Sequence, residues 1–164
     1  MSTHASIAKL EKDGTVTSIY CHFDGDINTV GRILFDNYKK EEEVDKLLSM
    51  GDASSLGASI DPPEAVARFG FSPIFSKEFD ALPQTERERL KEDLYNFEHC
   101  TFYMRDRDED TPPQKYSSIR EWFETAREEY NYLFDTDGQW KYVTHRGRIK
   151  QIHLTNMSDV LETE

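Results

Sequence analysis

Cations, cysteines and long apolar runs are all scarce in this chain. Lys and Arg together number 20 against 32 Asp and Glu, and the formal net charge is −12 at pH 7. Nucleic acid and anionic membrane both need a basic face that can neutralise phosphate, so the shortage argues against either as a direct partner. Basic surfaces of other proteins stay open as partners, including surfaces that normally hold DNA. Two cysteines, Cys21 and Cys100, do not make a disulfide framework in 164 residues, and a reducing cytoplasm is the expectation. No stretch approaches the roughly 20 apolar residues of a membrane span. Met1–Lys12 lacks the apolar run of a secretory signal. There is also no glycine-rich phosphate loop, no nucleophile elbow and no His-Glu-x-x-His pair. These absences weigh against an enzyme and give the expectation of no cofactor and no metal.

Aromatic residues are present in quantity. Ten Phe, eight Tyr and two Trp make 12% of the chain, which argues against disorder. A single domain over residues 1–164 is expected, with a core small in residue count and rich in large side chains.

Lys12-Asp13-Gly14 supplies a tight turn between Ser6–Leu10 and Val16–Phe23. The second arm alternates. Thr17, Ile19, Cys21 and Phe23 form the more apolar face, expected to be buried, and Val16, Ser18, Tyr20 and His22 the other. The turn Asp24-Gly25-Asp26 follows, then helical spacing at Val30, Ile33, Leu34 and Tyr38. Glu41–Met50 reads as a second helix with an acidic first turn, ended by Gly51.

Asp61-Pro62-Pro63-Glu64 reads as a helix start, and Thr85 with Glu88 as a capping box. The span 58–82 holds three of the six prolines and reads as an insertion candidate. His99–Met104 suits a strand, followed by a charged loop over Arg105–Asp110. Ser118 and Glu121 form a second capping box, before a helical stripe of Ile119, Trp122, Phe123, Ala126 and Tyr130. Asp135-Thr136-Asp137-Gly138 joins Tyr132–Phe134 to Gln139–Thr144 as a hairpin. Arg148–Leu154 reads as one more strand, and residues 157–164 as a frayed tail. The fold class expected is α+β: an antiparallel sheet of hairpins with several helices against one face.

Candidate chemistry gathers near the first turn. His22, Asp24 and Asp26 alternate along one strand, and Asp52 is the nearest further carboxylate, so these four are the residues a small metal-dependent hydrolase or phosphoesterase would use. Capping carboxylates at a turn are the plainer reading. Asp24-x-Asp26-x-Asn28 opens like a calcium loop, but Thr29 stands where that loop needs Gly and Phe35 where it needs Glu. His4-Ala5-Ser6 and His153-Leu154-Thr155 repeat the His-x-Ser/Thr element of two-histidine phosphoesterases, a short pattern that recurs by chance. Binding candidates are Asp24, Asp26, Arg105, Asp106, Arg107, Arg146 and Arg148, the last two from a short basic strip.

Tyr20-Cys21-His22-Phe23-Asp24-Gly25, Gly51-Asp52 with Ser54-Ser55-Leu56, and Phe102-Tyr103-Met104-Arg105-Asp106-Arg107 together resemble a family of small bacteriophage and prophage proteins. That family has Trp-Asp-Gly-Tyr where this chain has Phe23-Asp24-Gly25-Asp26, so Asp26 makes this turn more acidic. The resemblance implies a phage accessory protein acting in the host cytoplasm. Together with the acidity it suggests binding and inhibition of a host protein, such as a defence factor, with DNA mimicry as one version. A metal-dependent hydrolase and a nucleotide-binding anti-defence protein are the alternatives.

Overall fold

In a computed structural model, the structure describes residues 3–62, 64–69, 75–96, 99–146 and 151–162. The first hairpin forms as the turn predicts. Strand β1 (Ala5–Leu10) pairs antiparallel with β2 (Val16–Cys21), with Ile7 opposite Ile19. A π-helical turn (Ile27–Gly31) leads into α1 (Arg32–Asn37), followed by α2 (Glu41–Ser49) and the short β3 (Ala53–Ser55). Gly51 carries φ 78°, the left-handed value expected of a residue just past a helix.

Next come α3 (Glu64–Phe69), α4 (Lys77–Asp80), α5 (Gln84–Asn96), β4 (Thr101–Phe102), α6 (Tyr103–Arg107), β5 (Gln114–Tyr116) and α7 (Ile119–Ala126). The chain closes with β6 (Tyr130–Phe134), β7 (Trp140–Arg146), β8 (Gln151–Asn156) and α8 (Met157–Glu162). The sheet order is β4-β3-β2-β1-β6-β7-β8, with β5 on β2. The fold is thus a mixed α/β domain on an eight-stranded, mostly antiparallel sheet. Two pairings are parallel: β1 with β6, and β2 with β3.

Helices cover both faces of this sheet, not one. On one face Ile7, Ile19, Cys21, Tyr132 and Phe134 pack with Leu34, Val44 and Leu47 of the first two helices and Met157 of α8. On the other, Ala8, Val16, Leu133 and Val143 lie under Trp122 and Phe123 of α7. Val16 and Ser18, assigned to the less buried face, are therefore buried as well. Phe23, expected inside, is 43% exposed, because β2 ends at Cys21 and the alternation stops with it.

Other boundaries move for local reasons. Residues 157–162, expected to fray, form α8, anchored by the buried Met157 whose methyl closes on Gly31. Tyr130 leaves the α7 stripe, because Arg127 turns extended at ψ 132° and Tyr130 begins β6. The expected strand over His99–Met104 is only β4, and Arg105–Arg107 are helical, ending where Asp108 turns left-handed at φ 54°. Thr85 lies inside α5, so its capping box does not form, whereas Ser118 does cap α7 by accepting the Glu121 N–H at 3.1 Å. The last strand is described from Gln151 to Asn156; its expected start at Arg148 falls among residues 147–150, which lie outside the described set. Within the insertion candidate, α3 and α4 pack Ala65 and Phe79 on Leu90 of α5 as a separate small core.

Candidate functional site

The outer edge of β2 is shared by two short strands with a gap between them. Below, β5 pairs with Val16–Ser18; above, β3 meets Cys21. Backbone N–H groups at alternate positions point to that edge. His22 N–H is taken by Ala53 O at 3.0 Å, but Tyr20 N–H faces the gap. The Asp52 carboxylate fills it, accepting that N–H at 2.9 Å. A cavity of about 120 Å³ opens here, lined by Tyr20 and Ser18, Asp52 from the approach to β3, Tyr116 of β5, and Glu128 beyond α7.

Its charges are dear to hold. Burial pushes the Asp52 carboxyl above its usual range, only partly offset by the Tyr20 N–H. Burial also raises Glu128, helped by neighbouring Glu129 and opposed by His4. The Tyr20 phenol is pushed up to about 12, by burial first and then by Glu128 among its neighbours. Neither Asp52 nor Glu128 has a cation within ion-pair distance among the described residues. By contrast Lys9, the most buried lysine described, holds Glu11, Glu41 and Asp45 at 3.2, 2.8 and 2.7 Å.

Beside the cavity two histidines meet. Continuing the β1/β2 register one step past Ala5↔Cys21 sets His4 opposite His22, and their ring centroids are 4.7 Å apart. The His4 Nδ1 is 2.8 Å from the His22 carbonyl oxygen. A carbonyl only accepts, so this nitrogen carries a hydrogen, and in the neutral imidazole Nε2 is then the bare nitrogen. The Tyr20 oxygen lies 2.9 Å from the same nitrogen and 2.7 Å from His22 Nδ1. With His4 donating toward it, the phenol donates to His22 Nδ1, which fixes the neutral His22 hydrogen on Nε2. A directed chain results: His4 Nδ1–H, Tyr20 O–H, His22 Nδ1.

The Asp24-Gly25 turn clamps this arrangement. Gly25 N–H donates to Thr3 O at 2.8 Å, and a Cβ on Gly25 would come within 2.7 Å of the His4 backbone, so only glycine fits. Asp24 itself stands in the left-handed region at φ 56°. Phe23 presents its exposed ring edge-on to His22, centroids 4.5 Å apart.

The residues singled out in the sequence separate into two sets. His22 and Asp52 both border this region; Asp24 is exposed on the turn, and Asp26 starts the π-helical turn and takes the Thr29 hydroxyl at 3.2 Å. Asp26 makes no side-chain cap, contrary to the capping expectation. Among the described residues, no three His, Cys, Asp or Glu side chains are grouped to hold a metal. Arg105 and Asp106 serve the fold: Arg105 donates to Ile60 O and to Cys100 O, and Asp106 accepts the Phe102 N–H at 2.8 Å. Arg107 lies over the Tyr103 ring. Arg148 lies outside the described residues, and only the backbone of Arg146 is described, at the end of β7.

The two His-x-Ser/Thr elements do not meet. His153 sits on β8, with β7 and β6 between it and β1, and the ring that His4 faces belongs to His22. His4 and Glu128 are the residues sequence reasoning left aside. In the sequence His4 stands out only within a His-x-Ser/Thr element that recurs by chance, and Glu128 reaches the site only through the parallel β1–β6 pairing that puts Tyr130 beside Ala5. A larger cavity of about 570 Å³ lies at the other end of β1, where Lys9, Lys12, Lys39 and Lys115 are matched by Glu11, Asp13, Glu41 and Asp135, so it favours no charge. Comparison with protein-family models, with characterised proteins and with solved structures finds no match to this chain.

Proposed function

We propose that this chain is a phage accessory protein that binds the basic surface of a host protein and inhibits it. The observation that carries the reading is the pair Asp52 and Glu128: two half-buried carboxylates, each pushed toward its neutral form, with no partner at ion-pair distance among the described residues. Retaining unpaired charge in a cavity costs stability, and such costs gather where a protein meets a ligand. A cationic partner would relieve it. The net charge of −12 adds long-range attraction to such a partner. The exposed Phe23, whose backbone N–H donates to Ser54 O at 2.9 Å, offers an aromatic ring to such a partner. The phage origin rests on the three sequence motifs.

The test is capture of a bacterial protein by the tagged chain at about 0.15 M ionic strength. The reading expects a protein with a basic surface, retained reproducibly and released at high salt. If duplex DNA competes it off, the acidic surface acts as a DNA mimic. Retention of nothing removes the reading.

The His4–Tyr20–His22 chain favours a second reading, an acid–base hydrolase with His4 Nε2 as base. The carboxylates around it would repel phosphate, so an uncharged ester is the substrate to offer. Turnover abolished by His4→Gln would support it; absence of turnover would end it. The 120 Å³ cavity falls below the roughly 300–1,000 Å³ of sites for small-molecule ligands, so a nucleotide does not fit there.

A further inference from the structure

The cavity between β3 and β5 has a definite chemistry. Two tyrosines, Tyr20 and Tyr116, and two acids, Asp52 and Glu128, are among the residues that line it. The Asp52 position is fixed by the Tyr20 N–H at 2.9 Å. Acids and aromatic faces together select cations, and a planar, weakly hydrated one gains most from both.

A second observation concerns the floor. Ser6 and Ser18, buried to 2% and 3% exposure, line the cavity with hydroxyls 3.0 Å apart. Both accept from the Trp122 indole N–H, at 2.9 and 3.0 Å. One serine hydroxyl donates to the other, and the second hydroxyl hydrogen then has no protein acceptor among the described residues. A buried donor facing a cavity calls for a guest that supplies an acceptor, such as a water entering with a hydrated group. The volume, about 120 Å³, admits one side-chain head with such a water and not a nucleotide or a peptide segment.

We propose that this cavity is an arginine socket: it takes the guanidinium of one arginine from the protein partner, bridging Asp52 and Glu128 against the rings of Tyr20 and Tyr116, with one water on the serine floor. Five guanidinium N–H donors meet two carboxylates that have no ion-pair partner among the described residues. Arginine is preferred to lysine because a planar fork can reach two carboxylates and still lie against a ring. This inference rests on the reading of the chain as a binder of basic proteins and names what that binding recognises.

The test is a ¹H–¹⁵N shift titration of the whole chain with ethylguanidinium, and with ethylurea as the neutral analogue of like shape. Saturable shifts at Tyr20, Asp52, Tyr116 and Glu128 with ethylguanidinium alone are expected. Glu128→Gln should weaken that binding by roughly tenfold or more, the scale of one charge-assisted hydrogen bond. Asp52→Asn should do likewise, and Glu42→Gln, on the exposed first turn of α2, should leave it unchanged. Non-saturating shifts spread over exposed carboxylates, equal response to ethylurea, or unchanged binding by Glu128→Gln would each overturn the proposal. The titration needs no host protein. A failed lysate capture with a successful titration would remove the host-protein reading and leave the socket, and the reverse would remove the socket alone.

Discussion

The Asp52 carboxylate accepts the backbone N–H of Tyr20 at 2.9 Å, and so closes a ladder position that neither β3 nor β5 reaches. One side chain thereby does two things. It completes the edge of β2, and it sets a charge into a cavity that gives that charge little solvent.

Asparagine at position 52 keeps the acceptor and removes the charge, so Asp52→Asn should stabilise the fold. A gain on the order of 2–4 °C in Tm corresponds to about 1 kcal/mol for a chain of this size. The pH dependence has a definite sign. Burial holds the folded carboxyl above its usual value of 3.8, so the native state binds the proton more tightly than the unfolded chain. Stability from this group is therefore full below about 3.8 and is lost as pH rises through the raised folded value. Urea unfolding across the carboxylate range should show wild type and Asp52→Asn converging in acid and separating toward neutrality. A variant less stable than wild type at neutral pH would contradict this.

Tyr20→Phe keeps the ring and removes the hydroxyl that joins His4 to His22. In wild type, ¹⁵N spectra of the imidazoles should report a hydrogen on Nδ1 of His4 and on Nε2 of His22. In the variant His4 keeps its tautomer through the His22 carbonyl at 2.8 Å, while His22 Nδ1 loses the phenol as its donor and its ¹⁵N shift should move. The stability loss should be about 1 kcal/mol, the net worth of an ordinary hydrogen bond. An unchanged His22 Nδ1 shift would show that the phenol does not donate to it.

Lys9 ties β1 to α2 through Glu41 and Asp45, with Glu11 alongside. Burial alone would lower its ammonium, but the hydrogen bonds to Asp45, Glu41 and Glu11 prevail and hold it well above its ordinary value. Lys9→Met leaves three carboxylates facing a buried apolar chain. We expect a loss of about 2 kcal/mol in urea unfolding, below the figure for a fully buried pair because Glu41 and Asp45 are half exposed. A loss within error would contradict the clasp.

Both thiols are buried, and burial pushes Cys21 up to about 12 and raises Cys100 as well. Neither is thiolate at neutral pH, and neither reaches solvent. Ellman's reagent should therefore label no thiol in the native chain and both in denaturant. Rapid labelling of the native chain would mean that the core around Tyr38 and Cys100 opens.

Local patterns carried the elements of this fold well and their assembly poorly. The β1–β2 hairpin, α2 with Gly51, the Ser118 cap and the hairpin closed by Gly138 all follow from turn chemistry and periodicity within a dozen residues. The parallel pairing of β1 with β6 joins residues about 125 positions apart, and nothing near either strand announces it. That pairing brings Glu128 toward His4, which is why half of the site was not legible. The other half was: His22 and Asp52 were singled out, although as metal ligands. His4 could have been found from the hairpin register alone, which sets it opposite His22 once β2 is known to end at Cys21.

The most direct measurement compares the wild-type chain with the Asp52→Asn/Glu128→Gln double variant in capture from bacterial lysate at about 0.15 M ionic strength. The account predicts that wild type retains a protein with a basic surface. The double variant, folded and only two charges less acidic, should retain roughly tenfold less of it or lower still. Equal retention by both chains, or none by wild type, would contradict it.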